Sequence, residues 1–297
     1  MSMACKLLGY SRQAYYKPLL AQSQPTLTAL TSMLPAVRKA RQACPTRGCR
    51  AMYEQYGSMW SLGRDKSIAL LMRTGYRVRY PKYYRRATQA GSRLFANLLV
   101  NYQVTGINQV WQADMAHYLH GDSICYTIYI TDVYSQEVVG YGAYSTNHAV
   151  NYAEVLQRAI KSQKGFTSGL NQLIHHSDGG KQYESGVYTK LCKQHGIRQS
   201  MCMCSYENPY AEKTNDLINN GYLNIWRPKK LNQLRSLQTK AVNDHNTNNR
   251  KRKLGKRSPL EFKQWLLEQE NGRGYQLQLK PIAPEQPRNK LVSSVHY

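Results

Sequence analysis

The spacing of apolar and polar positions changes character along the chain. Between residues 27 and 76 it is helical. Leu27, Leu30, Met33, Leu34 and Val37 recur at intervals of three and four, and a second helix is predicted over Arg64 to Arg73. Pro35 is expected to break or restart the first helix, because it lacks an N–H and its ring crowds the preceding turn. Gly75 is expected to stop the second. Ahead of these, residues 3–17 read as a short apolar helix, a turn at Gly9 and a second helix opened by Ser11, the outline of a helix-turn-helix end. That unit is too short to fold alone; it either packs on the next helices of the chain or completes an upstream segment.

From residue 109 the period becomes that of strands. Ser123 to Thr131 and Glu137 to Tyr144 are apolar β-rich runs joined by a tight connection at Tyr134-Ser135-Gln136. Residues 148–163 return to helical spacing. Leu173 to His176 reads as a short buried strand, Tyr188 to His195 as a helix, and Ile197 to Met203 as another strand. Asn208-Pro209 opens a further helix, with Asn208 as its cap and Pro209 at the first helical position. Residues 231–245 form one more, and Ser258-Pro259 caps a last short one. The tail from 271 has no periodicity and is expected to be extended. A strand meander followed by helix–strand–helix–strand–helix predicts an α/β fold, a mixed sheet with helices on both faces.

Charge divides the chain further. The 297 residues hold 41 Lys and Arg against 17 Asp and Glu, a formal charge of +24. Residues 36–95 carry 14 basic and 2 acidic residues, and residues 226–297 carry 16 and 5, whereas residues 109–225 carry 8 and 10. Two strongly basic flanks around a net acidic middle imply a polyanionic partner, nucleic acid above all. In Tyr76-Arg77-Val78-Arg79-Tyr80-Pro81-Lys82-Tyr83-Tyr84-Arg85-Arg86, aromatic rings alternate with cations, which suits phosphate contact and stacking on bases. Arg77, Arg79, Lys82, Arg85 and Arg86 are therefore candidate DNA contacts. Lys181 and Lys213, close in sequence to Asp178 and Glu212, are two more.

The seven cysteines follow no regular framework, there is no signal peptide, and no apolar run approaches the ~18 residues of a membrane span. Reduced thiols in a cytoplasm are expected. A zinc site from Cys202, Cys204 and His175 or His176 lacks a second ligand pair, and buried thiols are the better reading.

Three acids sit where elements begin or end. Asp114 lies in Val110-Trp111-Gln112-Ala113-Asp114, Asp178 follows Leu173-Ile174-His175-His176-Ser177, and Glu212 falls in the first turn after Asn208-Pro209. Carboxylate oxygens suit hard divalent cations, and two such ions serve phosphodiester chemistry. Asp114 is expected to bridge two Mg²⁺ (or Mn²⁺) ions, with Asp178 and Glu212 each holding one. Gly179 and Gly180 would let nucleic acid approach. His175, His176 and Ser177 are candidates for supporting roles, with burial in the core the competing reading for the histidines. Asp132 and Glu207 are rival acids; the first fits a turn at a strand end and the second precedes the helix cap.

Several stretches together resemble insertion-sequence transposases of the retroviral-integrase superfamily, of the IS-three kind encoded in two overlapping frames. They are Leu7-Leu8-Gly9-Tyr10-Ser11-Arg12-Gln13-Ala14-Tyr15-Tyr16, Trp111-Gln112-Ala113-Asp114, Tyr129-Ile130-Thr131-Asp132, His175-His176-Ser177-Asp178-Gly179-Gly180, Asn208-Pro209-Tyr210-Ala211-Glu212 and Leu254-Gly255-Lys256-Arg257-Ser258-Pro259. The resemblance implies a ribonuclease H-like catalytic core and a DDE recombinase with Asp114, Asp178 and Glu212 as its metal-binding triad. Water would nick element ends, and the freed 3′-hydroxyl would join target DNA, without a covalent protein–DNA intermediate. It further implies double-stranded DNA (terminal repeats and target) as substrate, a homo-oligomer on that DNA, and an upstream-frame helix-turn-helix protein as a partner. The chain departs from the family in a slightly shorter spacing between Asp178 and Glu212, in Met115-Ala116-His117-Tyr118 after the first acid, and in Asn219 where relatives usually carry a lysine facing DNA. The expected organisation is a helical helix-turn-helix-type DNA-binding region at 1–80, a basic linker at 81–108, the integrase-like core at 109–226, a helical extension at 227–270 and a tail at 271–297. The competing functions are a DNA-binding regulator that has lost catalysis, and a nuclease of the same fold.

Overall fold

A computed structural model of the chain describes residues 12–78, 94–120, 123–163, 170–202 and 207–269. The chain divides into two compact units, Met1–Tyr80 and Pro81–Tyr297. In the first, α1 (Arg12–Ala43), α2 (Cys49–Tyr56) and α3 (Arg64–Arg73) enclose a small core of Met33, Val37, Ala40, Cys49, Met52, Trp60 and Leu71. The buried stripe of α1 is Met33, Val37 and Ala40, whereas Leu27 is 64% exposed. Pro35 does not break α1. It lies on the exposed side, where water can satisfy the carbonyl that its missing N–H leaves unpaired, and the buried stripe holds the helix on either side. Gly75 does end α3: its φ of +90° lets the Tyr76 N–H fold back onto the Leu71 carbonyl at 2.9 Å. The expected helix-turn at residues 3–11 lies outside the described residues, as do most of the basic aromatic stretch and the tail.

The second unit is built on five strands: β1 (Val110–His120), β2 (Ser123–Asp132), β3 (Val138–Tyr144), β4 (Ile174–Ser177) and β5 (Arg198–Met201), in the order β3-β2-β1-β4-β5. The first three form an antiparallel meander, and β4 and β5 run parallel to β1. Between them lie α4 (Ala149–Ser162), α5 (Lys181–Glu184) and α6 (Gly186–Gln194), followed by α7 (Pro209–Ile218), α8 (Leu231–Asn248) and α9 (Pro259–Gln269). This is the ribonuclease H-like order expected from the sequence, and the element bounds fall within a few residues of those expected.

The two faces of the sheet are built differently. On one, Trp111, Ala113, Ile128 and Ile130 pack against Tyr152, Leu156 and Ile160 of α4 and Tyr188 and Leu191 of α6. Gly140 is required there, because a Cβ would stand 2.8 Å from the Ala159 methyl and 3.0 Å from the Val155 carbonyl. The other face meets α7 through polar side chains, among them Thr131 donating to Thr214 at 3.0 Å and Tyr129 donating to Asn219 Oδ1 at 3.1 Å. After Ile218, α7 passes through a π-helical turn (Asn219–Leu223) before a last turn at Asn224–Trp226.

Two later helices complete the unit. α8 covers the free edge of β3: Arg235 donates to the Ala143 carbonyl, Gln238 to the Gly142 carbonyl, and the Asn246 amide pairs with both the N–H and the carbonyl of Val138. Those groups would otherwise template pairing with another strand. α9 opens with a reciprocal cap. The Glu261 N–H donates to Ser258 Oγ and the Ser258 N–H to the Glu261 carboxylate. The helix is anchored below by Lys263, which donates to Glu137 at 2.9 Å and to Gln163 at 2.6 Å in a buried cluster. The described cysteines are free and buried, and burial pushes the thiols of Cys192 and Cys202 up to about 12. No described helix is long and apolar enough to cross a membrane.

Candidate active site

Strand pairing sets two of the three acids side by side. β1 and β4 run parallel with Ala113 opposite Ser177, so Asp114 and Asp178 occupy equivalent steps on neighbouring strands, Asp178 one residue past the end of β4. Across the other edge of β1, Asp114 is opposite Tyr129. The period of a strand places Gln112 on the same face as Asp114, and the fully buried Gln112 does a specific job there. Its Oε1 accepts the N–H groups of Tyr210 at 2.9 Å and Ala211 at 3.4 Å, and its amide donates to the Glu207 carbonyl at 3.3 Å. The first turn of α7, which carries Glu212, is thereby capped by the strand that carries Asp114. Asn208 holds the cap position, but its side chain makes no cap bond; it donates instead to the Ala113 carbonyl at 2.9 Å, a second tie between helix start and strand. One turn after Glu212, the Asn215 amide donates to Asp114 Oδ2 at 2.6 Å.

Two of the carboxylates act on the third. Burial, then the charge of Asp178 and more weakly that of Glu212, push the Asp114 carboxyl up to about 7, against hydrogen bonds from Asn215 and the Met115 N–H. Burial also raises Asp178, partly offset by the Gly180 N–H, and burial raises Glu212. A side chain at residue 180 would crowd this corner, since a Cβ there lies 3.1 Å from Asp178 Oδ1. Tyr152 and Tyr183 lie within reach of the charges of Asp178 and Asp114. Among the buried side-chain atoms without a hydrogen-bond partner are Asn215 Oδ1, Asn208 Oδ1 and the Tyr183 hydroxyl. Hard-oxygen donors, mutual repulsion and unsatisfied polar atoms fit divalent cations. The acids are coupled through charge without forming a closed cage: among the described residues no three His, Cys, Asp or Glu side chains are gathered to hold an ion.

This coupling has a measurable sign. A carboxyl whose folded pKa lies above its unfolded value binds more protons in the folded state, so its contribution to stability falls as pH rises from about 4 to about 7. Without divalent cations, Asp114→Asn is therefore expected to gain stability over the parent protein across that window, by roughly 1.4 kcal/mol for each tenfold change in acidity that the substitution relieves. Thermal denaturation of both proteins over the range measures the difference; a gap that does not widen with pH would remove the upward shift assigned to Asp114, which burial causes first and the charge of Asp178 second.

The histidines belong to the core. His175 and His176 are buried, with His175 Nε2 2.9 Å from the Tyr188 hydroxyl and His176 Nδ1 2.8 Å from Ser200 Oγ. Burial pushes them down to about 3 and about 4, so both stay neutral. Asp132 is buried in its turn, accepting from the N–H of Asn108 and from both the N–H and hydroxyl of Ser135, while Glu207 accepts from Asn97 at 3.0 Å. Lys181 and Lys213 are exposed close in sequence to Asp178 and Glu212, and Arg77 is exposed in the first unit. Arg79, Lys82, Arg85, Arg86 and Cys204 lie outside the described residues. Asn219 faces the sheet rather than solvent, at the start of the π-helical turn. Sequence reading passed over Gln112 and Asn215, although the first lies two residues before Asp114 on a strand and the second three after Glu212 on a helix, each on the face of its acid.

Residues 105–205, which span the five strands and the helices between them, match the family model described as Integrase core domain. The chain is also similar to bacterial insertion-element proteins. It is 27% identical over 271 residues, 88% of its length and 97% of the other's, to an insertion element IS600 uncharacterized 31 kDa protein of Shigella sonnei. It is 30% identical over 135 residues, 45% of its length and 43% of the other's, to the transposase for insertion sequence element IS629 of the same organism. Among solved structures, the HTLV-2 integrase catalytic core domain in complex with magnesium is 19% identical, with a TM-score of 0.41 over 52% of this chain and 95% of that one.

Proposed function

We propose that this chain is a divalent-metal-dependent DNA transposase that nicks the ends of a mobile element and joins the freed 3′-hydroxyls to target DNA. The single observation that carries the reading is the action of Asp178 and Glu212 on Asp114, the three carried by two neighbouring strands at the point where β4 ends and by the helix capped by Gln112. These three residues would hold the cations, Mg²⁺ or Mn²⁺, which when bound neutralise charge at the attacking and leaving oxygens. Asn215 restrains Asp114 from turning away, and Gly180 keeps the rim beside Asp178 low enough for a sugar–phosphate backbone. No side chain attacks phosphorus; water and then a DNA 3′-hydroxyl are the nucleophiles, so the protein's task is placement and charge.

The substrates are the element's terminal repeats and target duplex. Two ends must be processed together, so the working form is a homo-oligomer on DNA, with an upstream-frame helix-turn-helix protein as a further partner. The place of action is the bacterial cytoplasm, at the nucleoid. The deciding experiment incubates the protein with Mn²⁺ and labelled DNA carrying both element ends, taken from the flanking genomic sequence. Joined products support transposition. Cut products alone assign the nuclease reading, and binding alone the regulator that has lost catalysis.

A further inference from the structure

Residues 94–99, ahead of β1, form a short strap with no regular structure of its own, yet it is held at every step. Its first residue is tied to α5, the Leu94 N–H donating to Glu184 at 2.9 Å. Phe95 packs on the core that α4 and α6 share with the sheet, whereas Leu98 and Leu99 belong to the second core, with Val110, Ile174 and Phe262. Leu99 is fully buried. Asn97 folds the chain between these anchors: its Oδ1 accepts the Leu99 N–H at 2.9 Å, a local turn of the kind asparagine favours.

Two neighbouring residues of the strap reach the two ends of the connection between β5 and α7. The Leu98 N–H donates to Ser200 Oγ of β5 at 2.9 Å, and the Asn97 amide donates to the Glu207 carboxylate at 3.0 Å. Ser200 is buried, and its Oγ lies 2.8 Å from His176 Nδ1. A hydroxyl oxygen that accepts a main-chain N–H still has its own proton to give, so Ser200 is assigned as donor to His176 of β4. Glu207 is buried, stands one residue before the cap position Asn208, and has its carbonyl held by Gln112. A chain of hydrogen bonds therefore runs from the end of β4 through β5 and residues 97–98 to the start of α7. Gln112 fixes that helix start against β1; the strap fixes it against β4 and β5. One line of restraint leaves a pivot, and two set a direction.

We propose that Asn97 is a positioning residue that splints the start of α7 to β5, and so sets how Glu212 stands to Asp178 for cation binding. The inference rests on the divalent-metal reading and deepens it. Asn97 touches neither acid; it acts through Glu207 on the helix that carries Glu212 and through the adjoining Leu98 on the strands that lead to Asp178. The residue type follows from the two tasks. One side-chain oxygen must accept the Leu99 N–H, and the other end must donate to a buried carboxylate, which a neutral amide does and an acid cannot. A bond to a charged acceptor is stronger than a neutral one, which suits a joint that has to hold position. Cation sites are sensitive to such supports, since loss of a group that orients the ligands weakens metal binding or activity by roughly 10- to 100-fold.

The test uses the full chain with Mn²⁺ as probe, below the melting temperature of every variant. Electron paramagnetic resonance of free Mn²⁺ measures binding without DNA, and cutting of labelled element-end duplex is followed across Mn²⁺ concentrations. Asn97→Asp keeps the oxygen for the Leu99 N–H but sets a carboxylate against that of Glu207. It is expected to weaken Mn²⁺ binding about tenfold and to raise the Mn²⁺ needed for half-maximal cutting by a similar factor. In a Glu207→Gln background the contact is reversed, with the amide now at position 207, and Asn97→Asp should then change either quantity by no more than about twofold. Lys263→Met, which loosens α9 outside this chain of bonds, should lower the melting temperature and leave the Mn²⁺ dependence as in the parent protein. Unaltered Mn²⁺ binding by Asn97→Asp would overturn the proposal, and a lower melting temperature alongside it would make Asn97 a packing residue. A loss of equal size in both backgrounds would also overturn it, because Asn97 would not be acting through Glu207. If Asn97→Asp fails to fold, Asn97→Ser, which adds no charge and cannot reach Glu207, should show the same weakening, and unaltered Mn²⁺ binding there is equally fatal. None of these results touches the transposase reading. That reading falls if the parent protein neither binds Mn²⁺ nor cuts DNA, and the proposal falls with it.

Discussion

Asp178→Asn is expected to lower DNA cutting and joining by at least ~100-fold while leaving duplex affinity no weaker than that of the parent protein. The substitution keeps the shape of the side chain and replaces a carboxylate oxygen, a hard ligand, with an amide. Burial already holds the Asp178 carboxyl above its ordinary range, so removing its charge relieves a cost rather than creating one. The variant should fold with an unchanged or higher melting temperature, which separates loss of chemistry from loss of structure. The assay compares nicked and joined products with Mn²⁺, alongside duplex affinity by anisotropy. Joining that survives at more than a tenth of the parent rate would take Asp178 out of the proposed triad.

Lys263→Met carries the largest expected effect on stability. Lys263 is buried between Glu137 and Gln163 and fixes α9 beneath the start of β3. Removing the ammonium leaves the Glu137 carboxylate buried with a single weak donor, the Gln163 amide at 3.4 Å. Such a broken pair costs ~3–5 kcal/mol, or roughly 10 °C in melting temperature for a unit of this size. Adding Glu137→Gln should recover most of the loss, because what is expensive is the uncompensated charge rather than the absence of the pair. If the single variant melts within a degree or two of the parent protein, the cluster adds little and α9 is held by Phe262 and its apolar neighbours.

How much of this could be read from the sequence depends on which signals are periodic. The meander, α4 and the β4–α6–β5 alternation announce themselves because one whole face is apolar, as Trp111, Leu156, Tyr188 and Leu191 illustrate. The interface between the sheet and α7 does not, because Thr127, Thr131, Thr214 and Asn219 meet there through hydrogen bonds, and buried polar residues leave no mark on a hydrophobic pattern. Pro35 misled for a related reason: the rule against proline in a helix concerns local hydrogen bonding, and the buried stripe of α1 outweighs one missing bond on the wet side. Asp178 and Glu212 stand at element edges, as the sequence suggests, one residue past β4 and in the first turn of α7; Asp114 does not, because β1 runs on from it to His120, paired with β2 throughout. The side chains that aim the acids, Gln112 and Asn215, carry no charge and fit no short motif. The inward turn of Asn219 depends on a π-helical turn, for which composition gives no warning.

The cap supplied by Gln112 has a bearing on how such a protein can change over time. Because a residue of β1 fixes where α7 begins, the connection between β5 and that helix does not have to measure out the distance to Glu212. Insertions and deletions in that connection can accumulate without moving the acid, so the interval in sequence between Asp178 and Glu212 is free to drift. What must be kept is Gln112 itself, because the groups that it holds at the helix start are all main chain.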